Sequence, residues 1–224
     1  MPQEGLPEWE RLLSSAARLQ KIIPSAVLVG GSAAALHVRH RFSRDADHVL
    51  PDLAQRFDTV LAQLESAAGW VTARVRRPVM ILGSLDGIET GVRQLIRQRP
   101  LETVRLRCGR QEVTVPTMKE VLRIKAALIL RRNATRDYLD FVALADAMGD
   151  EAVWNALGDL DETYPQPGGQ SALQQLQVQL ADPLPYDLGE VRLSEYRDLV
   201  PKWQDWAAVA DTASRIADLL LDRI

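Results

Sequence analysis

At 224 residues, 46% hydrophobic and 25% charged, the chain has the balance of a soluble globular protein with a sizeable core, which excludes a disordered polyelectrolyte. No apolar run approaches the roughly 20 residues of a membrane span, and the opening MPQEGLPEWERLL lacks the basic-then-apolar layout of a signal peptide. The single Cys108 excludes an internal disulfide and a cysteine-based zinc site, so a cytoplasmic setting without membrane contact is expected. The net charge of −3 conceals an asymmetry: residues 1–136 hold 22 basic against 13 acidic side chains, residues 137–224 hold 5 against 17. A basic part suits a polyanionic ligand, and it equally suits neutralisation by the acidic remainder.

Taken in chain order, the spacing of apolar residues predicts a helix from Pro7 to Leu19 and a short strand, Ser25 to Val29, ended by Gly30-Gly31. A helix from Ser32 to Val38, a strand from Asp45 to Leu50 and a helix from Leu53 to Ala68 follow. Strands are expected at Trp70–Val75, Val79–Leu82, Gly87–Leu95, Thr103–Cys108 and Glu112–Val115. Helices Thr117–Leu130 and Arg136–Met148 flank a break at Asn133. Beyond it, Tyr164-Pro-Gln-Pro-Gly-Gly169 reads as a loop, Ser171–Leu180 as a helix, and Val191–Ile224 as mostly helix. The expectation is an α+β chain: a domain over 1–150, then an acidic helical C-terminal region over 151–224.

The chemistry concentrates in GGSAAALHVRHRFSRDADHV, residues 30–49. Glycines at a strand-to-helix turn allow close backbone approach, and the free amides of the helix start favour a phosphate, with the Ser32 hydroxyl as a further donor. Asp45 and Asp47, two apart on a strand, project to one face. Two carboxylates held together repel unless a cation lies between them, and hard oxygen ligands suit Mg²⁺. His37, His40 and His48 raise a histidine metal site as the alternative, but His48 falls on the strand face opposite the aspartates.

Together, a Gly-Gly-Ser turn and a downstream Asp-x-Asp strand resemble the signature of the nucleotidyltransferase superfamily with the polymerase-β-like palm. More closely, GGSAAAL and HRFSRDADHV resemble the AbiEii/MenT-type nucleotidyltransferase toxins, with His40, Arg41, Ser43, Asp45 and Asp47 matching the family pattern one by one. The run KAALILRRNATRDYLD extends the likeness through Lys125, Arg132, Arg136, Asp137 and Asp140; the resemblance covers about residues 26–145.

The resemblance implies a nucleotidyltransferase-like mixed sheet flanked by helices and an enzyme moving an NMP group from an NTP to a hydroxyl of a tRNA or protein acceptor. It implies a toxin–antitoxin or phage-defence component with an antitoxin partner. Asp45 and Asp47 would hold Mg²⁺; Gly30, Gly31, Ser32, Ser43, Arg132, Arg136 and Asp137 would bind the nucleotide; Lys125 would neutralise the leaving pyrophosphate. A third carboxylate is expected in ILGSLDGIETGVRQL, where Glu89 in the strand is chosen over Asp86 in the turn. The alternatives are a catalytically degenerate nucleotide-binding or protein-interaction module and a small-molecule enzyme of the antibiotic-modifying type. The arginines of the middle strands, among them Arg74, Arg76 and Arg93, read either as a nucleic-acid platform or as a solvated face.

Overall fold

The computed structural model describes residues 8–97 and 99–223. Pro7 and Ile224, the outer ends of two expected helices, lie outside the described residues. The chain packs as two units: residues 1–36, 43–96 and 102–117 form the first, and residues 37–42, 97–101 and 118–224 the second. The motif-based division at residue 150 falls inside the second unit, because the helices before and after it share one core.

In the first unit α1 (Glu8–Ile22) precedes β1 (Val27–Leu28), α2 (Gly30–Val38), β2 (Ala46–Leu50) and α3 (Phe57–Glu65). Strands β3 (Trp70–Arg76), β4 (Met80–Leu85) and β5 (Ile88–Gln94) follow, then the separate ribbon β6 (Thr103–Cys108) and β7 (Gln111–Pro116). The sheet order is β1-β2-β5-β4-β3; β2 and β5 run parallel and the other pairs antiparallel, so the sheet is mixed, as expected. The helix expected from Leu53 begins only at Phe57, because residues 51–55 form turns.

Alternation divides the sheet into two faces. Ala46, His48 and Leu50 of β2 are buried, whereas Asp47 and Val49 are half-buried on the other side. The inner face closes over Leu19, Leu53, Phe57, Val60, Leu64, Trp70, Ile81, Leu85 and Val92. The core admits no side chain at residue 83, where a Cβ would stand 2.7 Å from the Trp70 ring.

The second unit is helical. It contains α4 (Met118–Arg132), α5 (Thr135–Met148), α6 (Asp150–Leu157), α7 (Leu160–Thr163), α8 (Ala172–Ala181) and α9 (Trp206–Leu221). Leu122, Ile129, Phe141, Leu144, Leu157, Leu176, Val209, Ile216 and Leu220 are wholly buried. The Tyr138 and Trp206 rings meet edge to face at 6.0 Å. The expected helix from Val191 is confined to α9, because residues 191–205 form turns and two short 3₁₀ segments, one opened by Pro201.

Candidate active site

The strand-turn-helix at residue 30 is built by backbone conformation and two hydroxyls. Gly30 opens α2 with φ 73°, a left-handed conformation that glycine adopts without strain. The Val29 amide donates to the Asp47 carbonyl at 2.8 Å, tying the turn to β2. Ser32, fully buried, donates its hydroxyl to the Asp45 carbonyl at 2.5 Å, and Thr90 donates to the Ala46 carbonyl at the same distance. The backbone carrying both aspartates is therefore pinned from two sides. The single Ser32 proton, expected to serve a phosphate, is spent in this structure on the protein itself.

Asp45 is exposed and Asp47 half-buried, and both line a cavity of about 460 Å³ on the outer face of the sheet. Glu89 of β5 lines the same cavity, as do Ser84 and Arg93. Asp86, the other candidate for a third carboxylate, sits in the β4–β5 turn with φ 55° and accepts a 2.5 Å hydrogen bond from Arg18. The hairpin thus separates the two: Glu89 faces the cavity and Asp86 is engaged by α1. Among the described residues no three His, Cys, Asp or Glu side chains stand close enough to hold a metal ion together. Mg²⁺ is commonly held by one or two carboxylates with phosphate and water oxygens completing the shell, and the Asp45–Asp47 donor set fits that requirement.

His48 lies on the opposite strand face, wholly buried, and neither ring nitrogen has a hydrogen-bond partner. Burial pushes its pKa down to about 3, outweighing the raising effect of the Ala46 backbone, so the imidazole is neutral core packing. Ser43 is half-buried in the first unit.

His40 and Arg41 belong to the second unit, where they meet the other half of the expected motif. Asp140, fully buried, accepts from Arg41 Nε at 2.7 Å and Nη2 at 3.0 Å, and its Oδ1 lies 2.7 Å from His40 Nε2. Lys125 Nζ stands 2.6 Å from the same carboxylate and 3.2 Å from Asp137. Asp137 in turn accepts from Arg132 Nε at 2.5 Å and Nη2 at 2.8 Å. Burial alone would raise the Asp140 carboxyl, yet Arg41, Lys125 and His40 hold it well below the usual carboxylate range. Arg41 also lies 5.5 Å from the Tyr196 ring centroid.

Lys125 is therefore placed differently from a pyrophosphate ligand. It is 1% exposed and its ammonium is engaged by two aspartates three residues apart on α5. Arg132 and Arg136 are exposed at the end of α4 and the start of α5. Thr90 was missed by sequence reasoning, and Arg93, read there only as part of an arginine-rich face, shares the strand face of Glu89 by simple alternation.

No protein-family model matches the chain. The heme uptake protein MmpL11 of Mycobacterium tuberculosis is 40% identical over 113 residues, covering 49% of this chain and 11% of that protein. The mycolic acid-containing lipids exporter MmpL11 of Mycolicibacterium smegmatis is 33% identical over 130 residues, covering 56% and 13% respectively. The chain thus spans about a tenth of the length of the curated relatives it matches. Among solved structures, a Helicobacter pylori protein assigned as a nucleotidyltransferase superposes with TM-score 0.58 at 14% identity, over 96% of this chain and 94% of that one. JHP933, also from Helicobacter pylori, gives 0.57 at 15% over 96% and 90%. The antibiotic-resistance factor ANT(2'')-Ia gives 0.51 at 11%, over 66% of this chain and 88% of its own. At these identities the likeness is one of fold, and the mixed sheet with its flanking helices is a nucleotidyltransferase-like fold.

Proposed function

We propose that the protein is a Mg²⁺-dependent nucleotidyltransferase that moves an NMP group from an NTP to a hydroxyl of an acceptor. One observation carries this reading: Asp45, Asp47 and Glu89 line a single cavity, and the strand bearing the aspartates is tied to the residue before the Gly30–Gly31 turn through the Val29 amide. The amides of that turn hold the β- and γ-phosphates. Asp45 and Asp47 would hold the magnesium, which would supply neutralisation of phosphate charge and Lewis-acid activation. Glu89 takes the proton of the acceptor hydroxyl; the hydroxyl oxygen bonds to the α-phosphorus as the bond from that phosphorus to the α–β bridging oxygen breaks, and pyrophosphate leaves. Ser32 and Thr90 are positioning residues, since they hold the carbonyls of Asp45 and Ala46.

In the second unit Lys125, with Asp137 and Asp140, serves as a buried ion cluster, while Arg132 and Arg136 are that unit's candidates for nucleotide contact. The acceptor, a tRNA, a protein or a small molecule, and a toxin role with an antitoxin partner rest on the family resemblance alone. The lone, free Cys108 supports a reducing, cytoplasmic setting. Among the described residues no helix is long and apolar enough to cross a membrane. The transport named for the MmpL11 relatives belongs to proteins of which the matching stretch is about a tenth, and it is not carried over.

Incubation with each α-labelled NTP, Mg²⁺ and total tRNA, against the Asp45→Ala/Asp47→Ala variant, tests the reading. Label transfer abolished in the variant supports it. NTP binding without transfer to RNA, protein or small acceptors would instead support a degenerate nucleotide-binding module, a reading favoured by the failure of the three carboxylates to converge on one ion.

A further inference from the structure

The outer face of the sheet carries opposite charges in ordered rows. Registered pairs place Asp47, Gly91, Leu82 and Arg74 in one row across β2, β5, β4 and β3. The next row runs Val49, Arg93, Met80 and Arg76. Residues registered across neighbouring strands share a face, so Arg74, Arg76 and Arg93 lie on the face of Asp47 and Glu89. All three are exposed, and none forms an ion pair among the described residues; Arg93 merely rests 3.0 Å from the Met80 sulfur. Other arginines of the first unit are neutralised locally, Arg18 by Asp86, Arg77 by Asp58 and Arg105 by Glu112. Residue 91, between Asp47 and Leu82, can hold no side chain, since a Cβ there would stand 2.6 Å from the Ile81 carbonyl. The floor between carboxylates and guanidiniums is therefore bare backbone at residue 91, overlaid by the Leu82 side chain.

Strand order gives this charge a direction. The Gly30 turn lies on the β1 side of β2, tied to the Asp47 carbonyl, whereas the three arginines lie on the β5, β4 and β3 side. The donor triphosphate and the arginine rows thus flank the aspartate pair from opposite sides. With strands about 4.8 Å apart and a rise of about 3.3 Å per residue, Arg93 stands roughly 8 Å from Asp47 at the backbone.

We propose that Arg93, with Arg76 and Arg74 beyond it, is the specificity-determining element for the acceptor: it binds a phosphate group carried close to the reacting hydroxyl. This rests on the nucleotidyltransferase reading and names its acceptor class, a phosphorylated alcohol, of which a polynucleotide end and a small sugar phosphate are the two sources. Cationic acceptors are disfavoured by three unpaired guanidiniums on the same floor.

The test uses the full chain, wild type, Arg93→Ala, Arg76→Ala and Arg93→Lys, with three acceptors: a short single-stranded RNA, ribose 5-phosphate and a cationic aminoglycoside. Label transfer to a phosphorylated acceptor is expected, with KM for that acceptor raised about tenfold or more in Arg93→Ala, as for loss of one charged hydrogen bond. The NTP KM should not change, and Arg93→Lys should restore part of the loss. Preference for RNA over ribose 5-phosphate, with a further loss in Arg76→Ala, identifies a strand as the source; equal use identifies the small phosphate. A raised KM for NTP instead of acceptor, an unchanged acceptor KM, or preference for the aminoglycoside overturns the proposal. Absence of transfer to every acceptor refutes the underlying reading, and the subsite is then decided by anisotropy of a labelled 5′-phosphorylated RNA. Binding weakened about tenfold by Arg93→Ala sustains it, and equal binding overturns it.

Discussion

Replacing Asp140 by Asn removes one charge from the best-enclosed ionic cluster of the protein. The wild-type carboxylate, with no solvent exposure, meets two guanidinium nitrogens of Arg41, the His40 ring and the Lys125 ammonium, all within 3.0 Å. An amide offers one oxygen to these donors and turns an NH₂ toward the rest, so Arg41 loses its bidentate partner and Lys125 keeps only Asp137. Stranding a buried cation costs about 3–5 kcal/mol. In a chain of this size that corresponds to a fall in Tm of roughly 10 °C. Trp154, Trp203 and Trp206 lie in the second unit and Trp9 and Trp70 in the first, so urea unfolding followed by tryptophan fluorescence reports on both units.

The pH dependence supplies an independent check. Asp140 binds its proton less readily in the folded chain than in the unfolded one. Such a carboxyl contributes stability above its unfolded value, near pH 4, and loses it as pH falls through the depressed folded value. The gap between wild type and Asp140→Asn should therefore be largest near neutrality and narrow below about pH 4. A loss under about 1 kcal/mol at pH 7, or a gap that widens in acid, would refute the cluster's structural role.

Three other outcomes are expected. Asp45→Asn should abolish label transfer while changing the unfolding midpoint by less than about 0.5 kcal/mol, since that side chain is exposed; a large loss of stability would place it in the fold instead. His48→Leu should stabilise the protein by about 1–2 kcal/mol, because it replaces a buried imidazole with two unpartnered nitrogens. Its folded pKa near 3 lies below the unfolded value, so wild-type stability should decline as pH drops from about 6.5 toward 3, and this part of the decline should vanish in the variant. Gly30→Ala should cost about 1–2 kcal/mol through the left-handed φ alone, because nothing lies within 4 Å of the added Cβ, and calorimetry would show no loss if the turn tolerated it.

The sheet was legible because its strands are short apolar runs punctuated by glycine, and the Asp45/Asp47 pair because alternation alone sets which way a strand side chain points. Glu89 was chosen over Asp86 from its place in a strand; the engagement of Asp86 by Arg18, 68 residues away in sequence, was not legible. The interior placement of Lys125 was hidden for a related reason. Helix α4 buries Glu120, Arg123 and Lys125, and charged residues on a helix read as a solvated face unless their partners are known. Glu120 and Arg123 pair with each other on α4, but their further partners and those of Lys125 lie on other segments: Arg97 for Glu120, Asp159 for Arg123, Asp137 and Asp140 for Lys125. Helices α6 and α7 went unread because their short, acidic stretches resemble loop composition.

The alternation of the chain between units, leaving the first at residue 37, returning at 43, and leaving again at 97 and 118, has a consequence for how this protein can be altered. No single cut releases either unit whole. A fragment ending near residue 150 would keep α4 and α5 yet strip α6, α8 and α9 from their buried sides, exposing Phe141, Leu144 and the Tyr138 ring that meets Trp206. A fragment beginning at 118 would leave Asp140 without His40 and Arg41. The acidic C-terminal region is thus no detachable appendage, and loss or exchange of one unit through a simple terminal deletion is closed to this architecture.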